Sequence, residues 1–292
     1  MPRKQTLTAL ATLAIGVAAA TSAHAACLSD VQVAEMAEHY AARTPAANPE
    51  NLSDADGACT RAKFNSLLAQ KMGKVVGYKA GLTNPAVQKR FNTDRPVWGK
   101  LYEGMVLANG AAVPATFGAR PLYEADMLVR VKSASINHAR TPMEVLESID
   151  QVIPFIELPD LMVQAPPKLN GAGVTAINVG ARLGVAGTPI AVPVTRGERY
   201  AMLDALRDMQ VTLTDGSGYL LGGGKGSDVL EHPLNAVVWL AEALQKENIT
   251  LKPGDLLSLG SFSPLLPPKP GLQVQSNYQG LPGAQPVRVT FQ

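Results

Sequence analysis

Apolar and polar positions follow two different periods along this chain, and the change from one to the other divides it. In "CLSDVQVAEMAEHYAAR" the apolar residues Val33, Met36, Ala37 and Tyr40 recur at helical spacing behind Ser29 and Asp30, which predicts a capped helix. "DADGACTRAKFNSLLAQKMG" reads as a second helix, stopped by Gly73. From "KVVGYKAGLT" onward the apolar runs shorten, and "LYEGMVLANGAAVP", "YEADMLVRVK" and "VIPFIELPD" read as strands broken by Gly and Pro. Between the last two, Thr141 as N-cap, Pro142 at the first helical position and Glu144 closing a capping box predict a short helix. "MQVTLTDGSGYLLGGGKG" predicts a hairpin turning at Asp215 to Gly218, followed by a glycine-rich loop. "HPLNAVVWLAEALQKEN" predicts a helix with Pro233 near its start and Leu234, Val237, Val238, Ala241 and Leu244 on one stripe. The final segments, "GDLLSLGSFSP", "GLQVQSNY" and "PVRVTFQ", return to strand texture. Many strands, few helices, no internal repeat and no regular βαβ alternation define an α+β, mainly β class.

One strand carries an anomaly. Positions i and i+2 of a strand share a face, so Glu124 and Asp126 point the same way, opposite Tyr123, Ala125, Met127 and Val129. Either that face is wet, or a cation sits on it. A third oxygen ligand is offered by Glu157, embedded among Ile153, Phe155, Ile156 and Leu158, where a lone charge is costly unless a partner offsets it. Asp160, in the loop after Pro159, competes for that place. Three carboxylates without histidine describe a site for Mg²⁺, Mn²⁺ or Ca²⁺, not zinc. With one oxygen from each, about three positions of an octahedral ion stay open to water and substrate.

Other candidates each have two readings. Lys79, in "VVGYKAGLT", is either a solvated surface residue or a partly buried acid or base. "GGGKGSD" is a flexible turn or an anion cradle, though it lacks P-loop spacing. His232 caps the helix that follows it or carries a proton. Ser261 and Ser263 have no G-x-S-x-G context, which argues against a serine hydrolase.

Composition changes the picture at the N-terminus. Arg3 and Lys4, an apolar run from Leu7 to Ala20 and the small-x-small ending Ala23, His24, Ala25 predict a secretory signal peptide over residues 1–26, and hence a periplasmic or secreted protein with no membrane association after cleavage. Losing those two cations leaves 24 Lys plus Arg against 24 Asp plus Glu. A near-neutral chain without a basic patch excludes a nucleic-acid partner. Cys27 and Cys59 both survive processing and, in an oxidising compartment, read as one disulfide; two unpaired buried thiols are the other possibility.

The fragments "GYKAGLT", "YEAD", "PFIELPD", "GKGSDVLEHPLNAVVWLA" and "GDLLSLGSFS", in this order, closely resemble the 2-keto-4-pentenoate hydratases and 4-oxalocrotonate decarboxylases of the fumarylacetoacetate hydrolase superfamily. The resemblance covers Val75 to Gln292. It implies a mixed β-roll with N-terminal helices, organised as a helical region over 27–73 and a catalytic domain over 74–292. It also implies a divalent metal, Mg²⁺ or Mn²⁺, on Glu124, Asp126 and Glu157, with Lys79 in proton transfer and Ser261 and Asn178 near the substrate. The implied activity is a hydro-lyase reaction on a small 2-oxo acid from aromatic catabolism, by a homo-oligomer. Decarboxylation, C–C hydrolysis of an acylpyruvate and small-acid binding without turnover are the alternatives. The chain departs from the family pattern at four places: Asp126 for a glutamate, Leu122 for an arginine, Pro264 for another, and an acid missing ahead of Asn178.

Overall fold

The computed structural model describes residues 27–292, so the expected signal peptide lies outside the described residues. Two helices come first, α1 (Asp30–Ala42) and α2 (Asp54–Met72). Each is started by a serine whose hydroxyl accepts the N3 amide, Ser29 from Gln32 and Ser53 from Asp56, while the N3 side chain returns a bond to the cap. This exchange satisfies two backbone donors that a helix start otherwise leaves open. Gly73, at φ +82°, ends α2 in a conformation that costs glycine little. Cys27 and Cys59 form the expected disulfide, joining the approach to α1 to the middle of α2 across 32 positions. Closing a loop of that size stabilises by about 3–4 kcal/mol.

The first half continues with β1 (Val75–Gly81), α3 (Pro85–Arg90), β2 (Val97–Tyr102), β3 (Val106–Ala108), β4 (Ala111–Val113), β5 (Glu124–Val131), α4 (Pro142–Ser148) and β6 (Ile149–Leu158). The second half supplies α5 (Gly171–Ala176), β7 (Leu183–Ala186), β8 (Ile190–Ala191), α6 (Arg196–Asp208), β9 (Gln210–Asp215), β10 (Leu220–Lys225), α7 (Pro233–Gln245), β11 (Leu256–Ser258), β12 (Gln273–Gln279) and β13 (Val287–Phe291). One mixed sheet runs β2-β1-β11-β5-β6-β7-β3, with β8 also on β6; a second runs β10-β9-β12-β13-β4. Helices and two mixed sheets together make an α+β fold.

Two apolar cores enclose β5 and β6. Ala125, Met127 and Val129 belong to the core shared with Val211, Leu240 and Val289, whereas Leu128 and Phe155 belong to the one shared with Phe64 and Leu68 of α2. The expected alternation is therefore present, but both faces are covered. The N-terminal helices build the second core with the sheet, so the face carrying Glu124 and Asp126 is not wet. Among the described residues no helix is long and apolar enough to cross a membrane.

The capping box at Thr141 and Glu144 starts α4 as expected. The glycine run "GGGKG" does not form the expected loop: Gly222, Gly223 and Gly224 lie within β10, paired to β9. The run is therefore extended backbone at the edge of its sheet, not the concave loop that an anion cradle needs. Three helices absent from the sequence reading, α3, α5 and α6, are present. Only Met202 and Leu206 are buried on α6, too sparse a stripe to stand out.

Candidate active site

Topology brings the singled-out residues together. The antiparallel β5–β6 pair sets Glu124 opposite Glu157 and Asp126 opposite Phe155. On the other flank β1 runs parallel to β11, with Lys79 beside Ser258. Strand β11 has only three residues, and beyond it the chain turns through Gly260 at φ +103°. A Cβ at Gly260 would lie 2.2 Å from the Thr83 hydroxyl, so the turn tolerates no side chain. Past the end of β11 a cavity of about 200 Å³ opens, lined by Lys79, Glu124, Glu157 and Ser261 at its polar end. A larger apolar hollow between α1 and α2 contains none of these residues.

All four charged candidates are buried: Lys79 is 3% exposed, Glu124 8%, Asp126 0% and Glu157 3%. The Lys79 ammonium donates to Glu157 and, at 3.0 Å, to the Val179 carbonyl. Burial, reinforced by the neighbouring Glu157 charge, pushes the Glu124 carboxyl well above the usual carboxylate range. The same causes, burial first, raise Asp126 to about 7. The Ser261 hydroxyl lies beside Glu124 and donates to the Ser263 carbonyl at 2.6 Å. Thr83, 3% exposed, adds a second hydroxyl to the cavity wall.

The backbone here is strained. Leu82 and Val179, which both line the cavity, adopt left-handed conformations at φ 57° and 55°. For a β-branched residue such as Val179 this costs about 1–3 kcal/mol and requires support from its surroundings. The support comes from Asn178. Its Oδ1 accepts from the Lys100 N–H at 2.7 Å and from Asn65 Nδ2 at 3.0 Å, and its own amide donates to the Lys100 carbonyl at 3.0 Å. Asn178 does not line the cavity, which corrects its expected place at the substrate: it fixes the turn that presents the Val179 carbonyl to Lys79. Asp160 is likewise committed, accepting the amides of Ala119, Arg120 and Met162 at 2.7–3.1 Å. It is a loop organiser and not a competitor for the third acid.

The three expected metal ligands meet only in part. Glu124 and Glu157 face the cavity, while Asp126 lies outside its lining. One Asp126 oxygen accepts the Met127 and Gly260 amides at 2.6 and 2.9 Å, and the other accepts the Ser258 hydroxyl at 2.5 Å. Among the described residues no group of three or more His, Cys, Asp and Glu is arranged to hold a metal ion. Asp126 is one methylene shorter than glutamate, which is why its oxygens stay with the backbone beneath the cavity. The donor chemistry still fits a hard cation, since three carboxylates stand against one lysine in a dry site.

His232 is a cap: its Nδ1 accepts the Leu234 amide at 3.1 Å, its Nε2 lies 3.2 Å from the Leu203 carbonyl, and burial lowers its pKa. It takes no part in the cavity. Arg90, Leu82 and Thr83 were not singled out by sequence. The start of α3 is signalled by "NP", because Asn84 caps it and Pro85 opens it, but nothing in the sequence marks Arg90 itself.

The fold is that of the fumarylacetoacetate hydrolase superfamily. The solved 4-oxalocrotonate decarboxylase from Pseudomonas putida G7, complexed with magnesium and adipate, superposes with a TM-score of 0.76 over 91% of this chain and 100% of its own, at 24% identity. A fumarylacetoacetate hydrolase family protein from Yersinia pestis CO92 superposes with a TM-score of 0.53 over 74% of this chain and 92% of its own, at 15% identity. By sequence, a 2-keto-4-pentenoate hydratase from Paraburkholderia xenovorans is 28% identical over 209 residues, 71% of this chain and 74% of the relative. No protein-family profile matches. The relatives it resembles by sequence, at 25–29% identity, are named 2-keto-4-pentenoate hydratase, 2-hydroxyhexa-2,4-dienoate hydratase and 4-oxalocrotonate decarboxylase.

Proposed function

We propose that this protein is a divalent-metal-dependent hydro-lyase acting on a small 2-oxo acid of the 2-hydroxydienoic kind. The observation that carries the reading is the convergence of Lys79, Glu124 and Glu157, from three strands, on one cavity wall with Asp126 behind them. The names of the relatives support it, as does the magnesium in the solved decarboxylase.

Glu124 and Glu157 would hold the ion, and Asp126, tied to Ser258 and Gly260, adds negative charge from beneath. When bound, Mg²⁺ or Mn²⁺ supplies Lewis acidity at the carboxylate and oxo oxygens of the acid. Lys79 holds a proton at the cavity wall, oriented by Glu157 and the Val179 carbonyl; it would deliver that proton to one carbon of the conjugated bond while the hydroxyl of a water adds to the other, the proton left by that water returning to Lys79. The Ser261 and Thr83 hydroxyls orient substrate oxygens. Leu82, Phe91 and Val179 line the apolar part of the cavity and limit bulk water around the reacting chain.

Ultraviolet assay with 2-hydroxypentadienoate, coupled to metal analysis, tests the proposal. We expect Mg²⁺-dependent turnover that disappears in Lys79→Ala. Metal binding with no turnover of any 2-oxo acid would leave a binding protein instead. The hydrolase alternative lacks a water-activating histidine here, because His232 is engaged at α7.

Export and self-association are part of the same proposal. Export is supported by the Arg3–Lys4 start, the apolar run and the Cys27–Cys59 pairing, which suits an oxidising compartment. Periplasmic fractionation with and without residues 1–26 tests it, and sedimentation of the mature chain tests the homo-oligomer.

A further inference from the structure

The turn beside Lys79 is built against the ordinary preferences of its residues. Asn178, Val179 and Gly180 follow one another at φ 55°, 55° and 64°, a left-handed run where single left-handed residues are the rule. An ammonium has three N–H donors. In Lys79 one goes to Glu157 and one, at 3.0 Å, to the Val179 carbonyl, so the direction of that carbonyl fixes where the third N–H points at the cavity wall. The Asn178 amide closes on β2 through the Lys100 N–H and carbonyl, two bonds to one residue. A further bond comes from a different element: Asn65 of α2 donates from Nδ2 to Asn178 Oδ1 at 3.0 Å. Tyr102 sets the orientation of the Asn65 amide, because its hydroxyl donates to Asn65 Oδ1 at 2.8 Å and to the Asn65 backbone carbonyl at 2.9 Å. Asn65, Tyr102 and Asn178 are all buried, where an amide left without its partner is costly.

Resting on the lyase reading of this cavity, we propose that Asn65 is a positioning residue for proton transfer: through Asn178 and the left-handed turn it aims the Lys79 ammonium. Helix α2, which contributes no residue to the cavity wall, thereby sets the direction of the reacting proton. The links are Tyr102 to Asn65, Asn65 to Asn178, and Val179 to Lys79, and each is a hydrogen bond with a preferred direction. An apolar side chain at position 65 fills similar space but leaves the Asn178 oxygen one bond short, which frees the turn to relax toward ordinary backbone. In a relaxed turn the Val179 carbonyl swings away, Lys79 keeps only Glu157, and its third N–H no longer faces the reacting carbon. Such a change lowers the rate of the chemical step and spares substrate binding, because neither Asn65 nor Asn178 lines the cavity.

The test uses the full mature chain with Mg²⁺ and 2-hydroxypentadienoate. Asn65→Leu should lower kcat by about 10- to 100-fold, the cost of a displacement on the order of 1 Å, while KM and bound metal stay within about twofold. Tyr102→Phe, which removes a single oxygen, should lower kcat by about 3- to 10-fold in the same pattern. The solvent deuterium isotope effect on kcat should rise in both variants, since a misaimed donor slows proton transfer relative to the other steps; lost packing alone leaves it unchanged. In a Lys79→Ala background, Asn65→Leu should have no further effect on residual turnover. Ser66→Ala, the next residue along α2, should behave as wild type. Crystal structures read the geometry independently of turnover: the Val179 carbonyl should turn away from Lys79 in Asn65→Leu, or in Tyr102→Phe if the leucine variant does not fold. An unmoved carbonyl, an unchanged kcat, or an equal loss from Asn65→Leu with and without Lys79 overturns the proposal. If wild type turns over no 2-oxo acid and the carbonyl still moves, the lyase reading alone falls. If Lys79-dependent turnover is found and neither kcat nor the carbonyl responds, the role of Asn65 alone is removed.

Discussion

Two ionic clusters in this molecule, each built on a buried cation, have opposite balance. Arg61, 2% exposed, joins α2 to the segment after α7: it forks onto both oxygens of Glu247 at 2.5 and 2.6 Å, donates to the Trp98 carbonyl at 3.1 Å, and its guanidinium carbon stacks 3.4 Å from the Trp98 ring centre. Trp98 in turn donates its indole N–H to Glu247 at 3.1 Å. One cation meets one anion, and both terminal guanidinium nitrogens have partners. At the candidate active site three acids meet one lysine, and Glu124 and Asp126 are held above their ordinary pKa values by burial and by Glu157. A balanced cluster fastens two elements; an unbalanced buried one that borders a cavity calls for a cation from outside.

The comparison can be broken first at its centre. Lys79→Ala should lower turnover by about 100- to 10,000-fold, the usual range for a lost general acid or base, while bound metal stays within twofold; the ultraviolet assay and metal analysis read the two effects separately. Arg61→Met should leave turnover at low temperature unchanged and lower unfolding stability by about 2–4 kcal/mol, read by denaturant titration. The figure is set below a fully buried pair because Glu247 is partly exposed.

Metal titration sharpens the roles of the acids. Asp126→Asn should weaken Mg²⁺ by about 10- to 100-fold, as for a group acting from behind the ligands. Glu124→Gln should weaken it further; an equal or smaller loss than in Asp126→Asn would reverse their assigned places.

The mildest test is pH. Asp126 moves from an ordinary 3.8 to about 7 in the folded, metal-free protein, and Glu124 also moves upward. A raised folded pKa means that the native state holds the proton longer. The resulting stability is fully present below pH 3.8 and is lost as pH rises through about 7. Thermal scans of metal-free protein should therefore show this cluster reducing stability across that window, and saturating Mg²⁺ should restore it by mass action. A metal-free curve that rises steadily over the same interval would contradict the assignment.

Local chemistry made much of this legible. The Ser29 and Thr141 caps, Gly73, the Asp215 hairpin and the start of α7 are written in adjacent residues, and all appear where the sequence places them. The i, i+2 relation of Glu124 and Asp126 and the apolar setting of Glu157 were equally readable. Arg90 was not, because α3 is a six-residue helix with no buried residue and so no periodic stripe. The strand identity of "GGGKG" was also hidden, since glycine lacks the side chain that marks a pleated surface.

By itself the sequence determined which groups are chemically able to act: oxygen donors without imidazole, one lysine in an apolar strand, and two cysteines able to pair. Only the tertiary structure decided which of them share a space. Asp126 was expected beside Glu124 at the ion and is held beneath it, because a side chain one methylene shorter reaches the Gly260 amide and the Ser258 hydroxyl instead. Asn178 was expected at the substrate and instead fixes the Val179 turn, because its amide is matched by the Lys100 backbone. Spacing along a chain specifies which way a side chain leaves its own strand. What it meets there depends on the three-residue length of β11 and the turn at Gly260, which open the cavity between strands far apart in sequence.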